Sequence, residues 1–186
     1  MPVEILALCG SLRKESYNRK ALRAAQELAP PSARIETFEI GTIPLYNEDL
    51  RADGYPPVVA DLRDRIARAD AILFVSPEYN YSVPGVLKNA IDWASRPPKQ
   101  PFDGKPVAIM GASPGMLGTA RGQYHLRQVC AAVNMFPVNR PEIMISFADK
   151  KFDETGKLTD EAARKFIGQL LEALVEWTAK IGTPRK

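Results

Sequence analysis

Five consecutive apolar residues, Ala71–Val75, sit inside "DAILFVSP" at residues 70–77 and constrain the fold more than any other feature of the chain. A strand that is apolar on both faces needs cover on both sides, which a half-solvated antiparallel sheet does not give. Two other runs share this property, "VEILALC" at residues 3–9 and "KPVAIMGAS" at residues 105–113. Helically spaced segments lie between them. Ala21, Leu22, Ala25 and Leu28 recur at that spacing before Pro30 and Pro31, as do Leu87, Ala90, Ile91 and Ala94 after the middle run. Strands alternating with helices through right-handed crossovers predict an α/β fold, a doubly wound parallel sheet with helices on both faces.

The rest of the chain fits that plan. "ARIETFEI" at residues 33–40 alternates and is less apolar, which suits a strand near a sheet edge. A long connection over residues 41–57 leads to a helix expected over 58–69. Leu126, Val129, Cys130 and Val133 mark a further helix, and "PEIMISF" at residues 141–147 reads as a fifth strand. A Thr159/Asp160 cap opens the last helix, with Ala162, Phe166, Leu170, Leu174 and Thr178 expected on one face. The 186 residues suit one domain spanning 1–186, and no low-complexity linker marks a second.

Composition narrows the function. The net charge of +3 comes from 25 basic and 22 acidic residues mixed along the chain, so no nucleic-acid partner is expected. Cys9 and Cys130 read as core thiols, and His125 is the single histidine; a disulfide framework or a metal site is not expected. The first residues lack a basic leader, and no run approaches the ~20 apolar residues of a spanning helix. The expectation is a cytoplasmic protein without membrane insertion.

In a parallel sheet of this kind ligands bind beyond the carboxyl ends of the strands. Three such exits are rich in polar residues, glycine or proline: "GSLRKESYN", "SPEYNYSVPG" and "GASPGMLGTARG". The first has a single glycine, Gly10, so it is neither the three-glycine dinucleotide fingerprint nor a Walker loop. Its amides and the following helix N-terminus can face an anion; Ser11, Ser16 and Asn18 can add neutral donors and Arg13 a charged fork. The competing account is that Ser16 or Asn18 caps the helix while Arg13 and Lys14 are solvated. A terminal phosphate such as that of a flavin mononucleotide fits the first account better than NAD does. In the second loop Tyr79, Asn80, Tyr81 and Glu78 could meet a planar ring, or form a rigid connection with the tyrosines packed nearby. Ser113, Pro114 and Gly115 could make a third wall, with Gly111, Gly115, Gly118 and Gly122 reading as an adaptable segment.

Taken together, "GSLRKESYN", "FVSPEYNYSVPGVLKNAIDW" and "GASPGMLGTARGQYHLR" resemble the NADPH-dependent FMN reductase family, most of all its soluble bacterial quinone and chromate reductases. The resemblance extends from the first strand to "FPVNRPEIMI". It implies a flavodoxin-like three-layer sandwich, five parallel strands in the order 2-1-3-4-5, and one FMN per subunit. Carried onto this chain, it places Ser11, Arg13, Ser16, Tyr17 and Asn18 around the phosphate. Pro77, Glu78, Tyr79, Asn80 and Tyr81 would surround the ring and ribityl chain, with Ser113 approaching from another side. Ala112 stands where a second glycine is more usual.

The resemblance further implies NADPH or NADH as donor, a quinone or other small electron acceptor, and a homodimer or homotetramer. Chromate, ferric, azo and nitroaromatic compounds are further acceptors it would allow. No serine, cysteine or histidine nucleophile is required, because the cofactor carries the electronic step; Glu78 could be a catalytic acid, a role that needs a defined proton transfer. Two rival readings remain at this stage: a flavodoxin-like electron carrier serving a protein partner, and an anion-responsive regulatory module.

Overall fold

The apolar runs lie side by side as strands of one sheet in the computed structural model, which describes residues 1–182. The strands are β1 (Val3–Cys9), β2 (Ala33–Phe38), β3 (Ala71–Val75), β4 (Pro106–Ala112), β5 (Phe136–Pro137) and β6 (Ile143–Ile145). Between and after them come α1 (Tyr17–Glu27), α2 (Glu48–Ala52), α3 (Pro57–Arg68), α4 (Gly85–Ala94), α5 (Ala120–Ala132) and α6 (Glu161–Ile181). Every pairing is parallel and the lateral order is β2-β1-β3-β4-β5, the flavodoxin-like order. No helix among the described residues is long and apolar enough to cross a membrane.

Side chains alternate across the sheet and divide the interior into two cores. Ile5, Ala7 and Cys9 of β1 face the side covered by α1 and α6, while Leu6 and Leu8 face α3, α4 and α5. The first side includes many small residues, among them Ala7, Ala71, Ala108 and Ala112. The second holds Phe74, Trp93 and Phe102, all fully buried. Trp93 therefore belongs to the core, and its indole Nε1 donates to Pro44 O at 2.8 Å. Asn89 adds a bond to the same carbonyl and accepts from Tyr46 N, so α4 pins the connection that follows β2.

Three details differ from the sequence expectations. The fifth lane of the sheet holds two short strands, β5 beside the start of β4 and β6 beside its end, instead of one over residues 141–147. Pro137 and Pro141 lack the N–H that a continuous ladder needs. The connection over residues 41–57 contains α2, capped by Asn47, whose side chain accepts from Asp49 N. On α6 the buried residues are Ala163, Ile167, Leu170, Leu171, Leu174 and Thr178, while Ala162 and Phe166 are exposed. The Asp160 cap, accepting from Ala163 N at 2.8 Å, fixes the helix so that Ala163 and Ile167 face the sheet.

Both cysteines are free and buried. Burial pushes the Cys130 thiol up to about 12, and it raises the Cys9 thiol as well. Among the described residues no cluster of His, Cys, Asp or Glu could hold a metal ion.

Candidate functional site

Three loops leave the carboxyl ends of β1, β3 and β4, and specific side chains tie them together. Gly10 continues β1, donating its N–H to Val75 O at 2.9 Å. A Cβ there would lie 3.2–3.3 Å from Pro77, Leu87 and Pro84, so the missing side chain lets the first loop meet the second. The first and third loops are joined by Asn18, which is buried. Its Nδ2 donates to Ala112 O and its Oδ1 accepts from Ala112 N, both at 2.9 Å. Across 94 positions of sequence, one amide side chain completes the backbone pairing of the last residue of β4.

The first loop is otherwise an array of donors. Ser16 is the N-cap of α1, its Oγ accepting from Asn18 N at 3.2 Å. The amides of Ser11, Leu12, Arg13, Lys14 and Glu15 have no protein acceptor among the described residues. They stand before the N-terminus of α1, where the helix dipole favours negative charge. Ser11 is buried, and its carbonyl is occupied by Arg19 Nε at 3.1 Å. Arg13 is exposed and has no carboxylate within ion-pair distance among the described residues; its guanidinium lies 5.5 Å from the Tyr17 ring centroid. Lys20 Nζ lies 5.7 Å from the same ring centroid, and Phe152 packs against Tyr17 with ring centroids 5.9 Å apart. Ser16 thus caps its helix, and Asn18 has its side-chain oxygen and one amide hydrogen committed to β4. Among the uncommitted donors are the loop amides and Arg13.

The second loop turns on a two-residue hairpin. Tyr79 and Ser82 exchange both backbone hydrogen bonds, at 3.1 and 3.0 Å. Asn80 and Tyr81 between them have φ of 49° and 69°. Two successive left-handed residues make a tight turn of the kind that usually takes Asn-Gly. Asparagine suits the first position, whereas tyrosine at the second is strained. Tyr79 and Tyr81 are exposed and Pro77 is buried.

Glu78 is the anchor of this loop. Its side chain is 8 % exposed, and Oε1 accepts from Arg121 Nε at 2.6 Å. Oε2 accepts from Gly122 N at 3.0 Å, so a carboxylate from the second loop caps the N-terminus of α5. The Arg121 guanidinium in turn lies 3.5 Å from the Tyr81 ring centroid. His125 stands nearby, with Nδ1 3.1 Å from Ser82 Oγ.

The third loop is less adaptable than its glycines suggested. A Cβ at Gly111 would fall 2.2 Å from Thr119 Oγ1 and 2.3 Å from Ser76 O. One at Gly122 would sit 3.1 Å from Ser82 O and 3.3 Å from Glu78 Cβ. These glycines allow close approach of packed backbone rather than motion. Ser113 is half-buried; its N–H donates to Ile145 O and its Oγ accepts from Gly115 N.

The sequence expectations missed Arg121 and the Ala112 backbone as parts of this assembly. Arg121 could have been picked out only as an unpaired charge within the third motif, because its partner lies 43 positions away. Ala112 is marked in the sequence only by standing where a second glycine is more usual, which says nothing of a partner for its backbone. The residues present suit an FMN: free amides and one unpaired arginine for a dianionic phosphate, and an aromatic hairpin for a planar ring.

Comparison with known proteins gives consistent matches. The model for the NADPH-dependent FMN reductase family matches residues 3–150. An NAD(P)H-dependent FMN reductase of Pseudomonas aeruginosa is 55% identical over 179 residues, covering 96% of this chain and 97% of that protein. A quinone reductase of Escherichia coli K12 is 41% identical over 182 residues, covering 96% and 97%. Among solved structures, FerB, a flavoenzyme NAD(P)H:(acceptor) oxidoreductase from Paracoccus denitrificans, superposes with a TM-score of 0.89. It shares 40% identity over 97% of this chain and 99% of its own.

Proposed function

Because the chain belongs to the NADPH-dependent FMN reductase family, we propose that it transfers electrons from NADPH or NADH to quinones. The overall reaction is NAD(P)H + H⁺ + quinone → NAD(P)⁺ + hydroquinone. When bound, FMN supplies a ring that can take two electrons from the nicotinamide and pass them to the acceptor.

The observation that carries the reading is the convergence at the end of β4, where Asn18 holds the donor-rich first loop to the third loop by two 2.9 Å bonds. Arg13 and the amides of residues 11–15 hold the phosphate, with Ser11, Ser16, Tyr17 and Asn18 shaping the loop around it. On the ring side Pro77, Glu78, Tyr79, Asn80 and Tyr81 form the wall, and Ser113 closes the site from β4. Orientation is the main contribution of these residues, since a transfer between stacked rings is sensitive to small displacements. No side-chain nucleophile takes part.

The acceptor range extends in this proposal to chromate, ferric complexes, azo compounds and nitroaromatics. The chain works as a homodimer or homotetramer in a reducing, cytoplasmic setting. Exposed apolar side chains such as Leu45, 83 % exposed, and Met116, 72 % exposed, favour cover by a second copy. Two free, buried thiols suit the setting.

The test begins with an absorbance spectrum after incubation with FMN and removal of free ligand, followed by steady-state oxidation of NADPH and NADH with benzoquinone. Near one flavin per chain together with quinone-dependent turnover is expected. A correctly folded chain that retains no flavin would refute the reading.

A further inference from the structure

The tip of the second loop carries a strained tyrosine that needs an explanation. Tyr81 has φ 69° and is 64 % exposed, so neither backbone preference nor burial holds it there. Arg121 lies against it, with its guanidinium carbon 3.5 Å from the ring centroid, the shortest such cation–ring contact among the described residues. At that distance the planar guanidinium stacks on the ring.

Arg121 is itself fixed. Glu78 accepts from its Nε at 2.6 Å and contacts Nη2 at 2.5 Å, a two-point grip that a lysine could not receive. The second oxygen of Glu78 is held by Gly122 N, and the missing side chain of Gly122 eases the approach, since a Cβ there would lie 3.1 Å from Ser82 O and 3.3 Å from Glu78 Cβ. A rigid chain of contacts thus runs from the start of α5 through a mostly buried carboxylate to an exposed aromatic face.

We propose that Arg121 is a positioning residue: locked by Glu78, it holds the Tyr81 ring as a flat, fixed wall that makes the enzyme prefer planar acceptors over non-planar ones. The inference rests on the reductase reading above and deepens it. A planar quinone gains stacking against a fixed aromatic edge or face, whereas an octahedral anion such as hexacyanoferrate(III) gains nothing from flatness. The wall is a property of this chain alone, so its order can be measured without cofactor.

Two measurements test it. The first is amide hydrogen exchange in the cofactor-free protein, comparing wild type with Arg121→Lys and Arg121→Ala. Faster exchange at Tyr79 and Ser82 in both variants is expected, by about tenfold in Arg121→Ala, with the Ala112 amide unchanged. The second is steady-state kinetics of the FMN-loaded variants with benzoquinone and with hexacyanoferrate(III), two of which are reduced per NAD(P)H. KM for benzoquinone should rise about three- to tenfold while kcat and the hexacyanoferrate parameters hold. Tyr81→Leu, which leaves the Glu78–Arg121 pair in place, should lower kcat/KM for benzoquinone relative to that for hexacyanoferrate(III) by a comparable factor, on top of any common change in flavin binding and turnover that loss of a ring-site residue brings. Combined with Arg121→Lys it should add little.

Parallel shifts for both acceptors, additive effects, or unaltered hairpin exchange would each overturn the proposal. Absence of quinone-dependent turnover in the wild-type, flavin-loaded protein would instead refute the reductase reading on which it stands.

Discussion

The first and second loops both face the candidate site, yet they are secured in opposite ways. The first is held at its far end, where Asn18 is bonded to Ala112, and leaves its own amides uncommitted. The second uses its polar groups on itself and on α5: the Tyr79–Ser82 hairpin, the Glu78–Arg121 pair and the Gly122 amide. One loop keeps donors free for an anion, and the other becomes a stiff surface. A phosphate needs many donors that are not already satisfied, whereas a ring needs a wall that does not move.

Substitutions can break this contrast, and the largest effect belongs to the joint between loops. Asn18→Ala leaves the N–H and carbonyl of Ala112 without their buried partner and should lower stability by about 3 kcal/mol, measured by urea unfolding. Both loops should lose function together, with flavin retention and turnover falling in parallel. Glu78→Gln is narrower. It removes the charge from a mostly buried ion pair and should cost about 2 kcal/mol. Its mark is fast exchange at Tyr79 and Ser82 while the Ala112 amide stays protected.

Arg13→Ala tests the first loop without touching the second. It should leave unfolding unchanged and weaken FMN binding about tenfold by fluorescence titration, the worth of one exposed charge-assisted contact to phosphate. An unaltered FMN affinity would remove Arg13 from the phosphate site. Tyr81→Gly is expected to change stability with the opposite sign to Asn18→Ala and Glu78→Gln. Relief of the left-handed strain should raise or hold the unfolding midpoint, by up to ~1 kcal/mol, while selectivity for planar acceptors is lost. A clear loss of stability would mean that the ring is there for packing.

The same contrast separates what was legible in the sequence from what was not. The sheet could be read because Ala71–Val75 and its two companion runs are apolar on both faces, a property each strand carries by itself. The three loops could be placed together because the strand order brings their carboxyl ends to one edge. The roles within them depend on partners far away in sequence. Asn18 reads as a cap or an anion donor until Ala112 is beside it, and Glu78 reads as an acid until Arg121 and Gly122 are. Gly111 and Gly122 read as flexible because sequence shows a missing side chain and not the neighbours that crowd its place. On α6, a helical stripe fits Phe166 as well as Ile167, and only the Asp160 cap and the neighbouring sheet choose between them.

The buried cysteines have a consequence for an enzyme of this kind. Quinones are electrophiles as well as oxidants, and a thiolate adds to them covalently. The attacking species is the thiolate, which forms only where the sulfur can ionise. In this chain the Cys130 thiol is pushed up to about 12 by burial, and the Cys9 thiol is raised for the same reason. Neither sulfur offers its substrate a nucleophile while the chain is folded. The core that supports the sheet thereby also spares the catalyst from arylation by the compounds it reduces.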